Sequence, residues 1–224
     1  MIEKKILDFE KKLQKNLKDI FCPIHLSIGH EIVAIDLHET LKKKDWLYSY
    51  HRNHHHYLAK GGSERKLWDE IMGKKSGLNK GFAGSQSITD SKINFHSSAI
   101  VGGLIGVAAG TALAIKKTKN IVVCCIGDAG TEQGVFWEAL NFIKLYNLPI
   151  VYICENNRKS VDAHISERQA VPISERVKSF KIKIFNSAKK AIKYTKKTRK
   201  PSFAEIKLKL KCAHINMSTM TELV

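Results

Sequence analysis

Hydrophobic positions change their spacing several times along this chain of 224 residues, and each change marks an element. Ile2, Ile6, Phe9, Leu13, Leu17 and Ile20 step by three or four, which predicts an amphipathic helix over 1–20 with lysines on its outer face. Residues 21–40 begin as a loop and turn helical near Gly29, with Ile32, Val33, Ile35, Leu37 and Leu41 as a mostly buried set. The run 121–126 is short, apolar and rich in β-branched residues, as a buried strand is. Gly127-Asp128 breaks it at a turn. From Thr131 onward Phe136, Leu140 and Ile143, flanked by Val135, Ala139, Phe142 and Tyr146, recur at helical intervals until Leu148-Pro149 stops them. A second apolar run, 150–154, ends at Glu155-Asn156-Asn157. Strand, helix and strand joined by a right-handed crossover put both carboxyl ends on one sheet edge, so Asp128 and Asn157 should share a crevice. Residues 98–116 read as a Gly102-Gly103 turn feeding a helix of small residues, and 201–210 alternates like a strand. The expected fold is α/β, a largely parallel sheet with helices on both faces.

Composition adds limits. With 43% hydrophobic residues the chain can build one good-sized core. No apolar run reaches 18 residues, and the N-terminal stretch is charged throughout, so neither a membrane span nor a secretory leader is expected. Five cysteines, an odd number, fit reduced thiols better than a disulfide framework and suggest a cytoplasmic protein. Lysine and arginine total 38 against 21 acids, a net charge of +17. Aromatics are not interleaved with the basic run near 178–211, so a solvated lysine-rich surface is expected rather than a nucleic-acid partner. Such a surface still attracts diphosphates and acidic substrates.

The candidate chemistry lies beside the strand ends. One carboxylate, one amide oxygen and a backbone carbonyl make half a coordination shell for a hard cation such as Mg²⁺, which completes its shell with waters and phosphates. The four histidines His51, His54, His55 and His56 invite a zinc reading. Zinc ligands, however, converge from several elements, and no cysteine lies near these. Zinc is therefore not expected from the sequence.

The wording GD-x-x-T-E-x-G, then LP, then CENN over 127–157 resembles the alpha subunit of the decarboxylating component of 2-oxo acid dehydrogenases, the pyruvate, branched-chain and acetoin group. That family binds thiamine diphosphate and Mg²⁺ through a Gly-Asp turn followed, one strand-helix-strand unit later, by Asn-Asn. Ala129 stands where the family usually has a second glycine. His25-Leu26-Ser27-Ile28-Gly29 with Glu31 is similar to its H-L-S-I-G-x-E segment, and Arg52, His54 and His56 to its Y-R-x-H-x-H segment, with His51 in place of the tyrosine. Gly81, Gly84, Ser85 and Ile88 match a glycine-rich loop in which Ala83 and Gln86-Ser87 depart from Gly and Met-His.

By this resemblance the cofactor contacts are Arg52, Ile100, Val101, Gly102, Gly127, Asp128, Ala129, Gly130 and Asn157. The metal ligands are Asp128, Asn157 and the carbonyl of Lys159. His25, His54, His56 and, counting on from Glu205, His214 are the catalytic candidates. The resemblance covers roughly 21–214 as one thiamine-diphosphate-binding domain, preceded by the helix at 1–20 and followed by a tail at 215–224. Residues 170–200 look shortened, running almost straight into a helix. The implied activity is oxidative decarboxylation of a 2-oxo acid with acyl transfer to a lipoyl acceptor. The implied partners are a beta subunit in an α₂β₂ assembly and a lipoyl transacylase. A transketolase-like or other carboligase or lyase subunit and a shortened non-catalytic regulatory subunit are the alternatives.

Overall fold

Alternate residues of the central strands face opposite ways, and both directions are apolar, which is why the sheet is covered twice. The computed structural model describes residues 1–215, so nearly all of the expected tail at 215–224 lies outside the described residues. Its strands are β1 (Trp46–Ser49), β2 (Thr89–Asp90), β3 (Phe95–Ser97), β4 (Val122–Gly127), β5 (Ile150–Asn156), β6 (Lys159–Ser160), β7 (Ala163–His164), β8 (Lys183–Phe185) and β9 (Ser202–Lys207). The α-helices are α1 (Ile2–Lys15), α2 (Glu31–Thr40), α3 (His54–Ala59), α4 (Glu64–Ile71), α5 (Ile105–Ala114), α6 (Gly134–Leu145), α7 (Ile165–Arg168), α8 (Ile173–Lys178) and α9 (Ala188–Thr198).

Seven strands form one sheet in the order β2-β3-β1-β4-β5-β9-β8, parallel except where β2 runs against β3. Val123 and Cys125 of β4 point into a core with α1, α2, α3, α4 and α9, whereas Val122, Cys124 and Ile126 point into a second core with α5, α6 and α8. The chain steps from β1 to β3 on one side and returns to β4 on the other. That reversal leaves a crevice at the carboxyl ends of β1 and β4, the place where open α/β sheets take ligands. Among the described residues no helix is long and apolar enough to cross a membrane.

Three boundaries differ from the sequence reading. The first helix stops at Lys15, because the Asn16 side chain donates to the Lys12 carbonyl at 2.8 Å and competes with the backbone ladder; only a short 3₁₀ turn follows at Leu17–Asp19. The helix expected from Thr131 starts at Gly134, after a 3₁₀ turn over Asp128–Glu132 whose Thr131 hydroxyl donates to the Asp128 carbonyl at 2.7 Å. The segment expected to run almost straight into a helix forms α8 and then β8, which pairs with β9, before α9; Ile182 and Ile184 on the α8 side supply the apolar spacing for the strand.

Gly29 fixes how the loop before α2 meets the segment after β9. Its φ is +104°, and a Cβ there would lie 2.1 Å from the carbonyl oxygen of Lys209. The two segments are tied by Lys211 donating its N–H to the Ile28 carbonyl at 2.8 Å. Gly29→Ala is expected to destabilise the fold by about 2–3 kcal/mol, from left-handed strain plus a backbone clash. Thermal unfolding should show this as a fall in Tm, and an unchanged Tm would mean that the two segments part at little cost.

Candidate functional site

The crevice at the carboxyl edge is a cavity whose walls come from five places in the chain. Behind β1 stand Tyr50, His51 and Arg52; behind β4, Gly127, Asp128, Ala129 and Gly130; behind β5, Asn157 and the β6 residues Lys159 and Ser160. Val101 and Gly102 close a fourth side and His214 a fifth. Gly127 pairs with Glu155 in the β4–β5 register, so Asp128 and Asn157 leave the sheet side by side. Gly102 adopts φ +79° at the turn before α5 and packs against the Gln133 side chain, which brings backbone rather than side chain to the cavity wall.

The electrostatics are asymmetric. Arg52 is 1% exposed and donates to the carbonyls of Leu26 and His214, yet among the described residues no carboxylate pairs with it. Two of its five N–H donors are thereby used, and the buried charge lacks a counter-anion. Three imidazoles crowd this guanidinium: the His25 and His51 ring centroids lie 4.4 Å apart, and His25 and His214 5.6 Å apart. Burial, reinforced by His51 and by the Arg52 charge, pushes His25 down to about 2. Burial and Arg52 push His51 down to about 3 and lower His214 as well. At neutral pH these rings are therefore uncharged hydrogen-bonding groups beside one fixed cation.

Asp128 is held differently. Its Oδ2 accepts from Arg168 of α7 at 2.6 Å, and Arg168 also pairs with Glu132. Burial nevertheless raises the Asp128 carboxyl above its ordinary value, against the pull of Arg168. The Asn157 amide oxygen accepts from the Lys159 backbone N–H at 3.0 Å, which shapes the turn that carries both to the cavity. Asp128, Asn157 and Lys159 all line the cavity; carboxylate, amide and backbone oxygens are the donor types a hard divalent cation takes.

Other sequence-selected residues lie elsewhere. His25 is buried behind His51, its Nδ1 3.0 Å from Gln86 Nε2. Ile100 is exposed and borders a smaller hollow beside Gly102. His54 and His56, expected to line the site, are fully buried in the sheet-side core. The cause is helix geometry: α3 turns these residues inward, where His54 packs edge-on against Phe9 and its Nε2 meets Ser85 Oγ at 2.8 Å.

Glu10, Tyr50, Glu155 and Arg168 were not singled out from the sequence. Glu10 sits on the lysine-rich first helix, with no local pattern to set it apart. Its Oε1 accepts from the Ser27 hydroxyl at 2.5 Å and faces His54 Nδ1 at 3.3 Å. Burial alone would raise this carboxyl, but His54 and Ser27 outweigh burial and hold it below the usual range. Its contribution to stability is therefore present above the unfolded-state value of about 4.3 and lost as pH falls through the lower folded-state value. Glu10→Gln is expected to cost about 1–3 kcal/mol at neutral pH and to flatten the acid limb of stability. Denaturant melts from neutral pH into the acid range check both effects, and an acid limb as steep as the parent's would show that Glu10 does not carry it.

Glu155, which also lines the cavity, gathers a second set of side chains at its floor. Tyr50 donates to its Oε2 at 2.5 Å, and His55 Nε2 lies 3.0 Å from Oε1. His30 Nδ1 stands 3.6 Å from Oε1, and His56 Nε2 3.4 Å from Oε2. Burial opposes its ionisation, but His56 and His55 prevail and keep the carboxyl well below its ordinary range. Both ring nitrogens of His30, with His55 Nδ1 and His56 Nε2, have no hydrogen-bond partner among the described residues. Buried orphans of this kind cost about 1–3 kcal/mol each.

The chain is 40% identical over 157 residues to the alpha subunit of acetoin:2,6-dichlorophenolindophenol oxidoreductase from Bacillus subtilis, covering 68% of this chain and 47% of that protein. It is 34% identical over 166 residues to the pyruvate dehydrogenase E1 component subunit alpha of Rhizobium meliloti, covering 72% and 47%. The same subunit of Rickettsia felis is 31% identical over 202 residues, covering 84% and 61%. The chain thus spans about half the length of the first two relatives and more of the third. Residues 1–208 match the family described as dehydrogenase E1 component, and the chain belongs to that family.

Proposed function

We propose that the chain is the alpha subunit of a thiamine-diphosphate- and Mg²⁺-dependent 2-oxo acid dehydrogenase. The reading includes acyl transfer to a lipoyl acceptor and a beta subunit in an α₂β₂ assembly. The observation that carries it is the buried Arg52 guanidinium, unmatched by any described carboxylate and set on the same cavity as Asp128 and Asn157. A diphosphate supplies the missing anion, and the fork of N–H donors on the Arg52 guanidinium suits phosphate oxygens. Asp128, Asn157 and the Lys159 carbonyl would hold Mg²⁺ against that diphosphate. When bound, thiamine diphosphate supplies the carbanion-stabilising chemistry that loss of CO₂ from a 2-oxo acid requires.

The chain's own residues would bind and orient. Gly102 and the turn at Gly127 to Gly130 let backbone approach the cofactor closely. His214, on the cavity wall, would donate a hydrogen bond to substrate oxygen, and His25 would steady His51 from behind. His54 and His56 would act from beneath the wall, holding the segment that carries Arg52 through Ser85 and Ser49.

Isothermal calorimetry tests the reading: the chain should bind thiamine diphosphate only when Mg²⁺ is present. Equal binding with and without Mg²⁺, or none at all, would overturn it. Arg52→Ala should lose about 1.5–3 kcal/mol of that binding, roughly 10–150-fold in affinity. An unchanged affinity would remove Arg52 from the diphosphate site.

A further inference from the structure

The sequence argued against zinc because its clustered histidines lacked partners on other elements. The fold supplies them. His30 comes from the turn before α2, His55 from α3 and Glu155 from β5, three elements far apart in sequence. One ligand atom from each lies within 4.8 Å of the other two, and all three side chains are buried. The geometry points to a structural site for a divalent transition ion of the zinc type, held by His30, His55 and the Oε1 atom of Glu155 at the buried floor of the cofactor cavity.

Distances support it. Bonds of about 2.0–2.2 Å from zinc to nitrogen and oxygen place neighbouring tetrahedral donors roughly 3.3 Å apart. The observed separations to Oε1 are 3.0 Å from His55 Nε2 and 3.6 Å from His30 Nδ1, either side of that value. His30 is completely buried with neither ring nitrogen hydrogen-bonded, so an aromatic ring with two polar atoms points at Glu155 unused. An ion would occupy one of those lone pairs. The other carboxylate oxygen is already oriented by the Tyr50 hydroxyl, the kind of outer contact that fixes a ligating carboxylate. His56 Nε2, also without a hydrogen-bond partner, stands 3.4 Å from that oxygen and offers a further nitrogen. Its Nδ1 is fixed by Ser49 Oγ at 2.8 Å, which leaves Nε2 directed at the cluster.

Nitrogen and carboxylate donors favour zinc-type ions over Mg²⁺, which takes oxygen ligands and keeps its waters. The site is thus chemically distinct from the oxygen set at Asp128 and Asn157. Its three ligands are at most 1% exposed, so an ion would be taken up most readily as the chain folds and exchange slowly afterwards.

The test uses the full chain unfolded in chelator and refolded with Zn²⁺, with Co²⁺ or with neither. Expected are one ion per chain after desalting, visible ligand-field bands of low-symmetry Co²⁺, and a higher Tm for the Zn²⁺-refolded protein. These measurements on the unaltered chain decide the matter alone: no stoichiometric ion and equal Tm values overturn the proposal. The variants His30→Gln and His55→Gln, each checked by circular dichroism, should lose the cobalt bands, whereas His51→Ala should keep them. Bands that vanish with His51→Ala and survive in His30→Gln would move the ion to the less deeply buried His25, His51 and His214 group and equally overturn it.

Discussion

Purified alone, the chain should turn over no 2-oxo acid with thiamine diphosphate, Mg²⁺ and an artificial electron acceptor, and turnover should appear when a beta subunit is co-expressed. The diphosphate end of a cofactor has recognisable walls here: Arg52, Gly102, Asp128 and Asn157. In the family reading the other end is walled by the beta subunit. Positioning both ends of the reacting group is worth several powers of ten in rate, so half a site should give binding without chemistry. Exposed apolar residues near the cavity fit a covered surface: Ile100 is 70% exposed, with Val101, Val107 and Val135 also open. Patches of this kind mark interaction sites. Robust turnover by a beta-free preparation would refute the two-subunit proposal. Silence with every co-expressed beta candidate would instead favour a regulatory subunit.

Asp128→Ala should abolish Mg²⁺-dependent binding of thiamine diphosphate, the largest single-residue effect expected. Asp128 is the only carboxylate among the proposed metal ligands, and without it the cation keeps two neutral oxygens. The fold should survive the change, because Arg168 retains Glu132 as its partner and Gln169 still bonds the same carboxylate. Calorimetry with and without Mg²⁺ reads the loss, and circular dichroism confirms that the variant is folded. Retained metal-dependent affinity would move the cation away from the β4 turn.

How much of this was legible beforehand follows from the range of each interaction. The two central strands and the helix between them were readable because burial on both faces demands unbroken apolar runs, and 121–126 and 150–154 have them. The crevice was readable too, since right-handed crossover topology forces the ends of β4 and β5 onto one edge. Helix ends were less so: Asn16 and Thr131 shift them by one side-chain hydrogen bond each.

The membership of the site was only partly legible. Residues that reach the cavity through backbone direction, such as Asp128, Asn157 and Gly102, could be placed by spacing and family likeness. Residues whose role depends on which way a helix face turns could not. His54 and His56 lie within an R-x-H-x-H segment that suggested a cavity lining, but α3 rotates both into the core, onto Glu10 and Glu155. Glu10 meets Ser27 and His54 only because α1 packs across α3, a contact with no trace in local spacing. His30, His55 and Glu155 share no motif with one another in the sequence and become a cluster only when three elements close on one point. The sequence by itself determined the alternation, the strand-helix-strand unit and the pair of oxygen donors at its ends. Tertiary structure alone decided which buried charges face each other, because burial and pairing are properties of contacts between segments distant in the chain.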